Sequence, residues 1–136
     1  MRTRLLTTLV LTSLAIACRE SAGPSIGTVA GVYTATTFTS TTSGATINHL
    51  AEGSQILILL STDGSTEGQL LVPGGNDDGS DVNEELTGTW TLSGSTVQFD
   101  HAADTFLLDM PFAVSGTRLL GDATIDGTRV QVTLAR

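Results

Sequence analysis

The sequence contains no lysine, a single cysteine and few aromatic residues. Its six basic residues are all arginines, set against 14 acidic residues, and the net charge is −8. Because phosphate repels so acidic a chain, the composition argues against nucleic-acid binding. The single cysteine excludes an intramolecular disulfide. Since aromatic residues make up only 4% of the chain, the core has to rest on Leu, Ile and Val.

Recognisable catalytic and metal-binding patterns are also missing. No G-x-S-x-G or Ser-His-Asp pattern stands out, and the adjacent carboxylates Glu84 and Glu85 point to opposite faces of a strand. The acidic loop 74–81 begins with glycine where an EF-hand loop needs an acidic ligand. The stretch 100–104 offers one histidine and two carboxylates, too few for a convincing zinc site. We therefore predict a protein that is not an enzyme and has no cofactor or metal.

What the sequence does contain is a series of short β-strand patterns. Residues 84–100, E-E-L-T-G-T-W-T-L-S-G-S-T-V-Q-F-D, alternate apolar residues with threonines around a Ser93-Gly94 turn and predict a β-hairpin. Similar Gly-containing turns recur at 63–64, 115–116 and 126–127. No segment has a sustained helical period. We predict an all-β fold, an antiparallel up-and-down meander of about eight strands, and closure into a barrel would remove its exposed edges.

Two of the predicted strands have distinctive apolar patterns. Residues 55–60, Q-I-L-I-L-L, are apolar at both parities, which favours a strand buried on both faces. The same pattern can also arise where a strand bends across a barrel or meets a second element. In residues 105–114, T-F-L-L-D-M-P-F-A-V, every second residue from Phe106 to Val114 is apolar and predicts a further strand. Pro111 indicates an edge, a bulge or a bend in that strand.

The N-terminal segment resembles an export leader. Two arginines precede a short apolar run that ends in small residues, and the run is too short for a membrane-spanning helix. Leu14-Ala15-Ile16-Ala17-Cys18 is similar to the lipobox of bacterial lipoproteins, with Ala15 where Leu is usual. The resemblance implies a signal peptide at 1–17 and lipidation of Cys18. The alternative is an incidental cysteine in a leader cut elsewhere, for example after Ala22.

The same resemblance divides the chain and implies a location. Residues 18–28 are the lipidated cysteine and a small, polar tether, and residues 29–136 are the domain. Removal of the leader takes away Arg2 and Arg4, which leaves four arginines against 14 acidic residues and a net charge of −10. Arg19, in place of aspartate after the cysteine, implies an outer-membrane anchor, with the domain in the periplasm.

The domain resembles the lipocalin-like domains of bacterial envelope lipoproteins. Gly31-Val32-Tyr33 is similar to the G-x-W motif of lipocalins, and Gly88-Thr89-Trp90 gives a second motif of this kind. The resemblance implies a barrel whose interior is nearly filled or holds one small ligand. The candidate residues for lining a cavity are Tyr33, Trp90, Phe99, Phe106 and Met110. The alternative, which the small size of the barrel favours, is that these side chains fill it as an ordinary core.

The sequence thus predicts an exported, non-enzymatic envelope protein that is held to the membrane by a lipid anchor at Cys18. We expect it to bind a small apolar ligand inside the barrel. The alternative function is a protein-interaction module, such as a periplasmic inhibitor or assembly factor, that binds a basic partner through its acidic surface.

Overall fold

Ten strands and two short helical turns make up residues 22–136, the part of the chain that the computed structural model describes. The signal peptide predicted at 1–17 and Cys18 lie outside the described residues. The strands are β1 (Gly31–Thr42), β2 (Ala45–Asn48), β3 (Gln55–Leu60), β4 (Ser65–Val72), β5 (Val82–Glu85), β6 (Gly88–Ser93), β7 (Thr96–His101), β8 (Phe112–Ser115), β9 (Arg118–Ile125) and β10 (Thr128–Ala135). The helical turns are α1 (Ile26–Val29) and a 3₁₀ turn (Phe106–Asp109).

The ten strands occupy eight positions in a closed antiparallel barrel. Strands β2 and β3 pair with two parts of the same edge of β1, and β5 and β6 do the same on β4. From β6 onward each strand pairs with the next, and β10 pairs with β1 to close the barrel. The prediction of an antiparallel meander of about eight strands is confirmed, and the architecture is consistent with a lipocalin-like barrel.

The central hairpin forms as its sequence predicts. Strands β6 and β7 pair in register across the turn, so that Trp90 lies opposite Phe99. Both side chains are buried, together with Val97, while the threonines between them point outward. Period-two alternation therefore separates the core side of this hairpin from its solvent side.

The prediction that residues 55–60 form a strand buried on both faces is wrong. Ile56, Ile58 and Leu60 are buried inside the barrel, but Leu57 on the outer face is 47% exposed. A barrel wall is a single layer of sheet, so only one parity of each strand can reach the core.

The continuous strand predicted over 105–114 is also wrong. Residues Phe106–Asp109 form the 3₁₀ turn, and β8 begins only at Phe112, after Pro111. Proline has no amide hydrogen for a sheet ladder, and β8 pairs with β7 at only two positions. Beside the rest of β7 lies the 3₁₀ turn, whose Leu108 carbonyl accepts a hydrogen bond of 2.7 Å from the Gln98 side chain.

The N-terminal turn α1 closes one end of the barrel. Its Val29 side chain is fully buried, and the Val29 carbonyl accepts a 2.6 Å hydrogen bond from the Tyr33 hydroxyl. The Arg136 guanidinium donates to the Thr28 and Ala30 carbonyls, which ties the C-terminus to the same place. The tether predicted for 18–28 therefore overlaps this turn, which begins at the Ser25 cap. Within residues 22–136, no helix has the length and apolar character needed to cross a membrane.

Candidate functional site

The two ends of the barrel differ in how they are filled. The turns 61–64, 94–95 and 116–117 lie at the end that α1 covers, which we call the closed end. The turns 43–44 and 126–127 and the longer loops 73–81 and 102–111 lie at the other end, the open end. A cavity of about 380 Å³ lies at the open end. Its volume is near the lower limit of small-molecule sites, which are roughly 300–1,000 Å³.

Most of the cavity wall is apolar and comes from five strands and the loop 102–111. The apolar lining residues are Phe38, Leu70, Val72, Val82, Phe106, Ile125 and Val130. The Phe38 ring lies between two other rings, with centroid distances of 4.5 Å to His49 and 5.2 Å to Phe106, and both pairs are stacked. This stack joins β1 to two loops and makes part of the cavity wall aromatic.

A β-bulge in β1 turns the Phe38 side chain inward. The pairing of β1 with β10 shifts between Ala35 and Thr37, so the alternation of faces changes there. As a result Tyr33 and Phe38, five residues apart, both lie on the core side. Strict alternation from Tyr33 would have placed Phe38 outside. The odd spacing between two aromatic residues in one strand is the signal that could have revealed the bulge.

Polar groups also reach the cavity wall. The Ser40 hydroxyl and His49 Nε2 are hydrogen-bonded at 2.8 Å. Glu84 lies on the inner face of β5, since it is paired with the buried Leu70, whereas its neighbour Glu85 is paired with Gln69 on the outer face. Asp104 adds a second carboxylate at the mouth. Both Glu84 and Asp104 are solvent-exposed, so they lie where the cavity meets water.

A buried histidine lies behind this wall. His101 Nε2 is 3.3 Å from the Thr105 hydroxyl, and Thr105 lines the cavity. His101 Nδ1 is buried without a hydrogen-bond partner among the described residues. Burial lowers the pKa of His101, and the nearby Asp100 carboxylate only partly opposes this effect. His101 is therefore a neutral ring at pH 7.

Negative charge is concentrated at the open end. Carboxylates in its turns and loops include Asp77, Asp78, Asp81, Asp104 and Asp126. Two of the arginines within residues 22–136, Arg118 and Arg136, belong to strand ends at the closed end. The third, Arg129, donates to both oxygens of Asp122 on an exposed part of the wall and lowers the pKa of that carboxyl. The cavity mouth thus has a negative potential, because none of these arginines is placed to neutralise its carboxylates.

Of the five residues predicted to line a cavity, Phe106 lies in the wall described above. The other four, Tyr33, Trp90, Phe99 and Met110, are buried in the packed core. The Trp90 indole N–H donates to the Ser61 carbonyl at 2.9 Å, which fixes it beside a closed-end turn. Trp90 is therefore a distant reporter for binding at the open end, and a tryptophan placed at Phe106 would be a closer one.

In the acidic loop 74–81, two carboxylates accept hydrogen bonds from groups of the same loop. The Asp78 carboxylate accepts hydrogen bonds from the Ser80 amide and hydroxyl, which lower its pKa, and Asp81 accepts from the Gly74 amide. Within residues 22–136, no group of three or more His, Cys, Asp or Glu side chains is arranged to hold a metal ion.

Fold and site together define a small, closed, antiparallel eight-position barrel with one end plugged and a mixed aromatic and acidic cavity at the other. Comparison of the chain with protein-family models, with curated proteins and with solved structures finds no match.

Proposed function

We propose that this protein is a non-enzymatic binding module that takes a small, largely apolar ligand into the open end of its barrel. The observation that carries the proposal is the cavity of about 380 Å³, walled by Phe38, Phe106 and aliphatic side chains. An apolar pocket with a few polar groups is the usual form of a small-molecule site. The plugged closed end leaves the open end as the side from which a ligand enters.

The Ser40–His49 pair is the feature that most resembles catalytic machinery. Its 2.8 Å separation suits a nucleophile and a base. However, within residues 22–136 no carboxylate hydrogen-bonds the other His49 nitrogen, and such a group would normally orient the base. We therefore assign the pair to binding. Hydrolysis of a chromogenic ester that disappears in Ser40→Ala would contradict this assignment.

The test of ligand binding is native mass spectrometry of the full-length protein isolated gently from its own type of cell. We expect an added mass that is lost on denaturation. In Ile125→Trp, whose indole would fill the mouth, we expect at least a tenfold loss of the bound fraction, because the ligand and the indole would occupy the same space. The matched control is Thr124→Trp, which places the same side chain on the outer face of β9.

Equal occupancy in Ile125→Trp and Thr124→Trp would place the ligand outside the cavity. An apo mass in every preparation, together with no binding by a panel of small amines, alcohols and acids, would count against a binding module altogether.

We further propose that the protein is exported and anchored to the outer membrane through a lipid on Cys18, with the barrel in the periplasm. The resemblance of residues 14–18 to a lipobox supports the anchor. The first described residue, Ala22, lies beside the β8–β9 turn at the closed end. An anchor attached a few residues earlier would leave the cavity mouth on the far side of the barrel from the attachment point.

The anchor has a direct test in fractionated cells. Cys18→Ser should move the protein from the membrane fraction to the soluble fraction, because each buried acyl CH₂ contributes about 0.8 kcal/mol to membrane binding. Serine is close to cysteine in size but lacks the thiol that would be acylated. Retention of the variant in the membrane fraction would contradict the lipoprotein assignment.

The second candidate function is a protein-interaction module that binds a basic partner. The observation that favours it is the concentration of carboxylates in the loops of the open end. Such binding would weaken steeply with salt, since exposed charges are screened within about 10 Å at 0.1 M. A partner that is captured equally well by the wild type and by Ile125→Trp, and is released by salt, would support this function over small-ligand binding.

A further inference from the structure

We propose that the ligand of the open-end cavity is a small organic amine, that is, an apolar or aromatic body carrying a protonated ammonium group. This inference rests on the proposed binding function and adds the chemical class of the ligand. It follows from three features of the cavity: the position of two carboxylates, the absence of lysine and arginine from its wall, and the aromatic residues of that wall.

Glu84 and Asp104 are placed to receive an ammonium group. Glu84 is the inward member of the Glu84-Glu85 pair, directly across from the buried Leu70 in the β4–β5 ladder. Asp104 reaches the same cavity from the loop 102–111. Within residues 22–136, neither carboxylate accepts a hydrogen bond or joins a salt bridge, in contrast to Asp78, Asp81 and Asp122. Their acceptor oxygens are therefore free to bind a donor.

An anionic ligand finds no lysine or arginine in this cavity. The sequence has no lysine, and no arginine is among the residues that line the wall. Arg129 is engaged by Asp122, and Arg136 is held by carbonyls at the closed end. A fatty-acid carboxylate would thus approach two like charges without compensation, which is unfavourable. The lining discriminates against acids and favours neutral or cationic molecules.

The remaining wall fits the body of such a ligand. The stacked rings of Phe38 and Phe106 make part of the wall aromatic, and Ile125 and Val130 also line the cavity. The hydroxyl of Ser40 and the ring of His49 add polar contacts on the same wall. The volume suits a molecule of one ring or a short alkyl chain better than a long lipid.

Titration calorimetry with matched probes tests the inference on the full-length protein. The probes are 2-phenylethylamine, 2-phenylethanol and 3-phenylpropanoate, which share one body and differ in the polar group. An alkylammonium ion stays charged at pH 7, as a lysine side chain does. We expect the amine to bind about tenfold more tightly than the alcohol, as a charge-assisted hydrogen bond would give, and the acid to bind most weakly.

Two variants locate the effect. Glu84→Gln should weaken amine binding about tenfold and leave alcohol binding unchanged, because it removes the charge and keeps the shape. Glu85→Gln is the matched control, since it changes the net charge equally on the outer face of the same strand. Asp104→Asn tests the second carboxylate in the same way.

The outcomes separate the two proposals. Equal affinity for amine and alcohol, or equal losses in Glu84→Gln and Glu85→Gln, would overturn the amine assignment and leave the binding module standing. Tighter binding of the acid would also overturn it. Failure of every probe, with an apo mass in the native spectrum, would overturn the binding function itself. Selective loss of amine binding in Glu84→Gln, with amine binding unchanged in the Glu85→Gln control, supports the inference.

Discussion

Gly88→Ala should destabilise the barrel by about 3 kcal/mol, the upper end of the usual range for overpacking. A Cβ on Gly88 would lie 2.5 Å from the Cα of His101 and closer still to the Asp100 carbonyl oxygen. Both neighbours are backbone atoms of β7, so they cannot turn away as a side chain can. The substitution would force β6 and β7 apart at the base of the central hairpin.

The measurement is urea unfolding, with the midpoint and the slope reported separately. Gly27→Ala is the control, because a Cβ there meets no atom within 4 Å and alanine favours the helical turn α1. Its unfolding free energy should change by less than about 1 kcal/mol. A Gly88→Ala protein as stable as the control would mean that β6 and β7 are farther apart than the structure has them.

Leu107→Ala should also cost about 3 kcal/mol, and Leu108→Ala less than about 1 kcal/mol. The side chain of Leu107 is fully buried, while that of Leu108 is only partly covered. The loss of buried methyl groups leaves a cavity in the first case and little change in the second. A continuous strand over 105–114 would give the opposite order, because its apolar parity contains Leu108 and excludes Leu107.

This pair of variants therefore tests the 3₁₀ turn itself. The two substitutions are chemically identical and adjacent, so effects on the unfolded chain largely cancel in their difference. Thermal unfolding followed by circular dichroism would suffice. If Leu108→Ala proved the more destabilising change, residues 105–114 would be a strand in solution. The position of Phe106 in the cavity wall would then be wrong.

The cavity depends on the same segment. Phe106, the one predicted lining residue found in the wall, stacks on Phe38 because the turn 106–109 carries it over the open end. In a regular strand, Phe106 would have been one more side chain of the barrel wall. The sequence could predict that Phe106 is apolar and faces inward, but it could not predict that Phe106 lies in the wall of the open-end cavity.

Glu84 shows a second limit of sequence reasoning. Adjacent carboxylates in a strand point to opposite faces, and this argument set Glu84 and Glu85 aside as a catalytic pair. The same rule also means that one of the two must face inward. Which one does so depends on the register of β5 against β4, and pairing with Leu70 selects Glu84.

The architecture followed from local chemistry. Period-two patterns and Gly-containing turns act over a few residues, so they predict the strands of the central hairpin and the antiparallel meander from the sequence alone. A series of strands joined by tight turns favours closure into a barrel, because a closed sheet has no exposed edge. The composition by itself excludes an intramolecular disulfide and argues against nucleic-acid binding.

Only the tertiary structure decided where the interior is filled and where it is open. Three local features depend on contacts with other parts of the chain. The bulge in β1 depends on pairing with β10, the 3₁₀ turn on Gln98, and the helical turn α1 on Arg136. Of the three, only the bulge leaves a trace in the sequence, which is the odd spacing between Tyr33 and Phe38. These contacts place Tyr33, Trp90, Phe99 and Met110 in the core and bring Phe38, Glu84 and Asp104 together at the open end.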